Sequence, residues 1–366
     1  PRDAIVWDVG HQSYAHKLIT GRFREFGKIR KKDGLSGFPK RSESVHDILD
    51  TGHSSTSLSS PLGLLESRNR QGRGGRVVAV IGDGALTAGM AFEALVNVSQ
   101  LELPLIVILN DNKMSISRNV GALSRYLSRL TATEHYQHFR RSVDSAVVSI
   151  PRVGRGLLEL IVRGKRAVKA IFFKENLFAD LGFEYVGPID GHNIPVLLSV
   201  LAQVKRLQRP VVIHVVTKKG NGFFKAEEDP EAFHGVAPSC PDLPVHARPS
   251  YTEVFGRLMV DLALEKRELV AITAAMSKGT GLEKLAKLQP SRVYDVGIAE
   301  QHAVTFAAGL ATGGLLPVVA VYSTFMQRAV DQVLHDVALP IIMSFSPWTR
   351  QGQWGRTAKP IRDFSI

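Results

Sequence analysis

The chain has 366 residues, long for one domain and sufficient for two. With 44% hydrophobic and 22% charged residues it is neither disordered nor fibrous. The formal net charge of +12 suits anionic partners or phosphorylated ligands, and the lone Cys240 excludes a disulfide framework or cysteine-built zinc site and points to a reducing compartment.

In chain order, the run 76–81 (RVVAVI) predicts a buried strand, 90–99 a helix and 104–109 (PLIVIL) the next strand. Segment 125–174 then carries eleven Lys or Arg against Glu134, Asp144 and Glu159. It has little aromatic interleaving and no nucleic-acid motif, so it reads as a solvated basic arm, with no nucleic-acid partner. Further strands are expected at 210–217 (PVVIHVVT), 269–273 and 317–322 (PVVAVY). Continuous Val/Ile runs alternating with helices predict an α/β fold with a parallel sheet covered on both faces.

The stretch 227–250, with Pro230, Pro238, Pro241, Pro244 and Pro249, reads as a linker. It places a boundary near 245, giving a first domain over 1–245 and a second over 246–342 that opens with a helix at Tyr251. The uncharged run 303–327 is broken by Gly309, Gly313, Gly314 and Pro317 into a helix and a strand, so no membrane span is expected. No signal- or transit-like segment is evident, and the expected location is a bacterial-type cytoplasm, with a plastid as the alternative.

Chemistry concentrates at two strand ends. Gly82-Asp83-Gly84-Ala85 follows the first strand, and Asn110-Asp111-Asn112 follows the second. Gly-Asp-Gly alone is an ordinary loop. Paired with Asn112 at a neighbouring strand end, it reads as a ligand crevice. The glycines permit close backbone approach, the following helix start suits a diphosphate, and a carboxylate with an amide oxygen can hold Mg²⁺.

This pairing resembles the cofactor motif of the thiamine diphosphate fold. More specifically, the chain resembles the 1-deoxy-D-xylulose-5-phosphate synthase family of transketolase-like enzymes. The matching stretches are WDVGHQ (7–12), HKLITGR (16–22), GHSSTS (52–57), GDGALTAGMAFE (82–93), NDNKMSIS (110–117), GPIDGH (187–192), TKKGNG (217–222), AEQHAVTFAAG (299–309) and YSTFMQRAVDQVLHDV (322–337). The resemblance implies a thiamine diphosphate-binding fold, a parallel sheet flanked by helices, followed by a truncated second α/β domain.

It also implies roles. Asp83, Asn112 and the Met114 carbonyl match Mg²⁺ ligands. Gly84 and Ala85 match the diphosphate contacts, and Gly52, His53 and Ser54 match a cofactor-binding stretch. His11 matches a cofactor-proximal, catalytic histidine. Phe223 stands where the family has a Tyr, so that contact lacks its hydroxyl. Glu300 matches the catalytic Glu that protonates the aminopyrimidine ring, a task that needs a desolvated carboxyl. Tyr322 and Arg328 match substrate-side residues. Read alone, His11, His53 and His302 are structural histidines, Tyr322 a core residue and Arg328 a helix-surface one; for His302 the structural reading is preferred.

The implied reaction joins pyruvate, with loss of CO₂, to glyceraldehyde 3-phosphate, giving 1-deoxyxylulose 5-phosphate, the first step of the non-mevalonate isoprenoid route. A homodimer is implied for the intact enzyme. The alternatives are another transketolase-type enzyme and an inactive cofactor-binding fragment.

Three departures concern the ends. The family's earlier N-terminal stretch, with a further His, and its third domain have no counterpart here. The resemblance also stops after 338, and 343–366 reads as a non-homologous tail. Read one base earlier, with allowed codons, 346–365 becomes Ala-Leu-Asp-x-Ala-Gly-Ala-Val-Gly-Glu-Asp-Gly-Glu-Thr-His-Gln-Gly-Leu-Phe-Asp, close to the family's continuation. The expectation is a frameshift near 339–343, a second domain short of its later strands, and an inactive polypeptide.

Overall fold

The computed structural model describes residues 2–10, 13–114, 121–132, 176–230, 233–234 and 249–339. The basic segment beyond 132, most of the linker and the tail from 340 lie outside the described residues.

Two parallel sheets organise the chain. The first has strand order β1-β2-β3-β5-β4, from β1 (Ala4–Trp7), β2 (Val77–Gly82), β3 (Ile106–Asp111), β4 (Glu184–Asp190) and β5 (Val211–Val216). The second has order β7-β6-β8, from β6 (Leu269–Thr273), β7 (Val293–Asp295) and β8 (Leu316–Val319). Every strand pair is parallel.

The helices in chain order are α1 (Tyr14–Lys17), α2 (Ser59–Arg70), α3 (Asp83–Leu86), α4 (Gly89–Leu101) and α5 (Ala122–Ala132). Next come α6 (Leu177–Asp180), α7 (Ile194–Val204), α8 (Phe224–Glu228) and α9 (Tyr251–Glu265). Then follow α10 (Ser277–Thr280), α11 (Glu283–Leu288), α12 (Glu300–Thr312), α13 (Ser323–Met326) and the short α14 (Val330–Gln332), which runs into a π-helical turn (Val333–Ala338).

The Val/Ile runs are explained by burial on both faces. On one face Ala79, Ile81, Val107, Leu109 and Val212 pack with Leu62 and Leu65 of α2 and Ala91, Leu95 and Val98 of α4. On the other, Ile106, Val211, Ile213 and Val215 pack against α7. Strands buried on both sides cannot show the alternating pattern of a half-exposed sheet. The predicted strands at 76–81, 104–109, 210–217, 269–273 and 317–322 all form, with boundaries shifted by up to three residues.

Strands β1, β4 and β7 were not anticipated. Strand β4 carries Gly187 and Pro188 and breaks register between Val186 and Ile189. Strand β7 has three half-buried residues. Neither gives a sustained apolar run. Helix α9 starts where the sequence places it because Ser250 caps it: its hydroxyl accepts from Glu253 N at 3.2 Å, while Ser250 N donates to the Glu253 carboxylate at 2.7 Å.

Candidate active site

The site grows from the carboxyl ends of β2 and β3. Gly82 pairs with Asn110, so Asp83 and the turn after β3 lie side by side. Asp83 is buried and accepts from the backbone N–H groups of Gly84 and Asn112. Burial, then the neighbouring Asp111 carboxyl to which it is hydrogen-bonded, raise its pKa to about 7.

Asp111 shapes the turn. Its Oδ1 accepts from Lys113 N at 3.1 Å, and Asn112 Oδ1 accepts from Met114 N at 3.0 Å, with Lys113 at φ 62°. Burial works to raise the Asp111 pKa, but the His214 hydrogen bond and charge, with the Lys113 N–H, hold it below the usual range.

The oxygen set fits a hard divalent cation. One buried carboxyl, an amide oxygen with a second lone pair and a backbone carbonyl are the donors Mg²⁺ takes, leaving other positions to phosphate oxygens. Among the described residues no three His, Cys, Asp or Glu side chains group into a metal cage.

The loop 52–57 is held against this corner by Asp8, which the sequence reading passed over although it lies in the matched stretch 7–12. Asp8 is fully buried at the end of β1, and its carboxylate accepts from Ser55 N at 2.9 and 2.8 Å and from Ser57 N at 3.3 Å. Burial raises its pKa against those hydrogen bonds. Ser55 Oγ donates to the Ala85 carbonyl at 2.8 Å, tying the loop to α3.

The second sheet contributes the other wall. Arg328 donates through Nη2 to the Ser54 carbonyl, and His53 Nε2 lies 3.1 Å from Thr324 Oγ1. The His53 ring meets Phe325 edge-on at 5.0 Å, and Tyr322 stacks on Phe325 at 6.0 Å. Burial, then the Arg328 charge, lower the His53 pKa and favour the uncharged imidazole.

Glu300 opens α12 and is only 2% exposed. Burial raises its pKa, opposed by its own backbone N–H and by Arg328. The Arg328 charge thus acts on Asp8, His53 and Glu300 together.

Of the residues singled out from sequence, Gly52, His53, Ser54, Asp83, Gly84, Ala85, Asn112, Met114, Glu300, Tyr322 and Arg328 fall in these strand ends, loops and helix starts. Phe223 is about half exposed and meets Phe233 edge-on at 5.5 Å. His11 lies outside the described residues. His302 is exposed and its ring stacks on that of Phe306 at 5.6 Å.

Sequence reasoning missed Asp8 and the His214–Asp111 contact. The available signal for His214 was a histidine interrupting an otherwise aliphatic strand, VVIHVV.

Residues 1–217 match the family model described as 1-deoxy-D-xylulose-5-phosphate synthase, and 247–366 match the transketolase pyrimidine-binding domain. The second match crosses the stretch read above as out of frame. Among curated relatives, the 1-deoxy-D-xylulose-5-phosphate synthase of Desulforudis audaxviator is 52% identical over 372 residues, covering 100% of this chain and 59% of the relative. That of Treponema pallidum is likewise 52% identical, and that of Carboxydothermus hydrogenoformans 51%, over 60% of its length.

Among solved structures, the transketolase of Campylobacter jejuni aligns over 94% of this chain and 60% of its own, with 17% identity and a TM-score of 0.42. The chain spans about three-fifths of the length of the curated relatives it matches. With most of the chain inside one family model and half of its residues shared with curated members, the chain belongs to the 1-deoxy-D-xylulose-5-phosphate synthase family.

Proposed function

We propose that this chain carries the cofactor and catalytic groups of a 1-deoxy-D-xylulose-5-phosphate synthase. It would act on pyruvate and glyceraldehyde 3-phosphate with thiamine diphosphate and Mg²⁺. The observation that carries the reading is Glu300, a buried carboxyl with a raised pKa that feels the charge of Arg328, the residue that donates to the Ser54 carbonyl in the loop Ser55 ties to α3.

When bound, thiamine diphosphate supplies an acidic C2–H and an electron sink, which allow a 2-oxo acid to lose CO₂ and its acyl unit to pass to an aldehyde. The protein's own groups do the rest. Asp83, Asn112 and the Met114 carbonyl hold Mg²⁺, and the start of α3 at Gly84 and Ala85 receives the diphosphate. Burial favours the protonated form of Glu300, so its carboxyl could share a proton with a ring nitrogen brought against it. His53, favoured uncharged, offers a hydrogen-bonding nitrogen without adding positive charge. Arg328 offers the charge that a substrate phosphate needs. A homodimer is the expected assembly of the whole enzyme, and the bacterial relatives favour a cytoplasmic setting.

The test follows labelled CO₂ from [1-¹³C]pyruvate and looks for 1-deoxyxylulose 5-phosphate by mass spectrometry, with a ketose phosphate as the competing donor. Turnover with pyruvate that falls about 100- to 10,000-fold in Glu300→Gln supports the reading. Turnover of the ketose phosphate alone points to another transketolase-type activity. Cofactor binding without any turnover leaves a binding fragment.

A further inference from the structure

Behind the proposed cation ligands runs a second line of side chains that the mechanism leaves unused. His214 lies in the middle of β5 and is fully buried. Its Nε2 donates to Asp111 Oδ2 at 2.9 Å, and its Nδ1 lies 2.7 Å from the Tyr185 hydroxyl. Tyr185, on β4, is itself stacked on Phe178 at 5.7 Å with the rings 7° from parallel.

The register explains how three strands align them. Leu109 pairs with His214 and Tyr185 with Val212, so Asp111 and Tyr185 are each a diagonal neighbour of His214 on one sheet face. That face is otherwise the apolar core of Leu109, Val107 and Val212. Burying a polar ring there is costly unless both nitrogens are satisfied, and a valine would pack without that cost. The string ends at the Asp111 carboxyl, which is hydrogen-bonded to Asp83 and also receives the Lys113 N–H that closes the turn carrying Asn112 and Met114.

We propose that Asp111, His214 and Tyr185 are positioning residues: a buried string across β3, β5 and β4 that fixes Asp83 and the turn 111–114 in the arrangement a divalent cation and a diphosphate require. This rests on the reading of Asp83, Asn112 and Met114 as cation ligands. Groups that orient ligands from behind typically change metal affinity by about 10- to 100-fold when removed.

The experiment titrates Mn²⁺ into the full chain at fixed thiamine diphosphate, read by electron paramagnetic resonance, alongside melting curves without metal. His214→Leu should weaken Mn²⁺ about 10- to 100-fold. His214→Gln, whose amide N–H reaches the place of Nε2, should recover most of that loss at a similar melting temperature. Where His214→Leu does not fold, Tyr185→Phe removes only the hydroxyl and should weaken Mn²⁺ in the same direction. Unchanged affinity in the folded variants, or no recovery in His214→Gln, overturns the inference. A wild-type chain with no saturable Mn²⁺ overturns the cation-ligand reading, and this inference with it; wild-type binding with indifferent variants overturns this inference alone.

Discussion

Asp47 shows at the scale of one residue what the matched stretch 16–22 does. Its buried carboxylate accepts from His16 Nε2 at 2.9 Å, from both Arg22 terminal nitrogens at 2.6 and 2.9 Å and from Lys40 N at 2.9 Å. Burial alone would push its pKa up; the His16 bond, then the Arg22 and Lys40 contacts, hold it well below the usual carboxylate range. A depressed folded value means that the stabilisation is present above the unfolded pKa of about 4 and is lost as pH falls through the folded value. Asp47→Asn should therefore cost about 1–3 kcal/mol near neutral pH, because buried Arg22 loses its bidentate partner and keeps only the longer contact to Glu43 at 3.6 Å. In urea unfolding the gap from wild type should close as the pH drops below about 4; a gap constant with pH refutes the ion-pair account. From sequence, His16 and Arg22 were visible as motif members, but Asp47 was not, because nothing local marks a carboxylate that pairs 31 residues away.

At the scale of elements, the loop 52–57 depends on β1. Asp8 satisfies the Ser55 and Ser57 N–H groups, and Ser55, at φ 74°, is held in a backbone region that few side chains choose. Asp8→Ala removes that acceptor. It should speed hydrogen exchange across 52–57 and weaken thiamine diphosphate binding while leaving the exchange of β2 and β3 unchanged. The expected stability cost is about 1–3 kcal/mol for each N–H group left without a partner. Uniform acceleration over the whole sheet would show a general packing role instead. The apolar strands were legible because they are buried on both faces. Strands β4 and β7 were not, since a Gly-Pro interruption and a half-buried strand of three residues give no periodic signal.

Across the whole molecule, the two sheets meet where Arg328 holds the Ser54 carbonyl and His53 faces Thr324, so both walls of the candidate site come from one chain. The family matches 1–217 and 247–366 leave unmatched 218–246, which holds most of the proline-rich stretch read as a linker. Among the described residues no helix is long and apolar enough to cross a membrane. The tail carries a further prediction at this scale. Sequencing the coding region for 335–366 should reveal a frame, one base earlier, that encodes Gly-Glu-Asp-Gly-Glu-Thr-His. If no such frame exists, the frameshift is wrong and the tail is the protein's own. The surplus of Arg350, Arg356, Lys359 and Arg362 over Asp363 would then be a real part of the +12 charge.

The sequence by itself determined the parallel α/β class, the strand-end motifs and the family, because buried strands and ligand loops are written in consecutive residues. Only the tertiary structure decided which polar groups meet: Asp8 with Ser55, Arg328 with Ser54, His16 with Asp47, and Asp111 with His214 and Tyr185. These contacts depend on strand register and on loops closed over tens to hundreds of residues, and a buried polar side chain carries no local sign of the partner that makes its burial affordable.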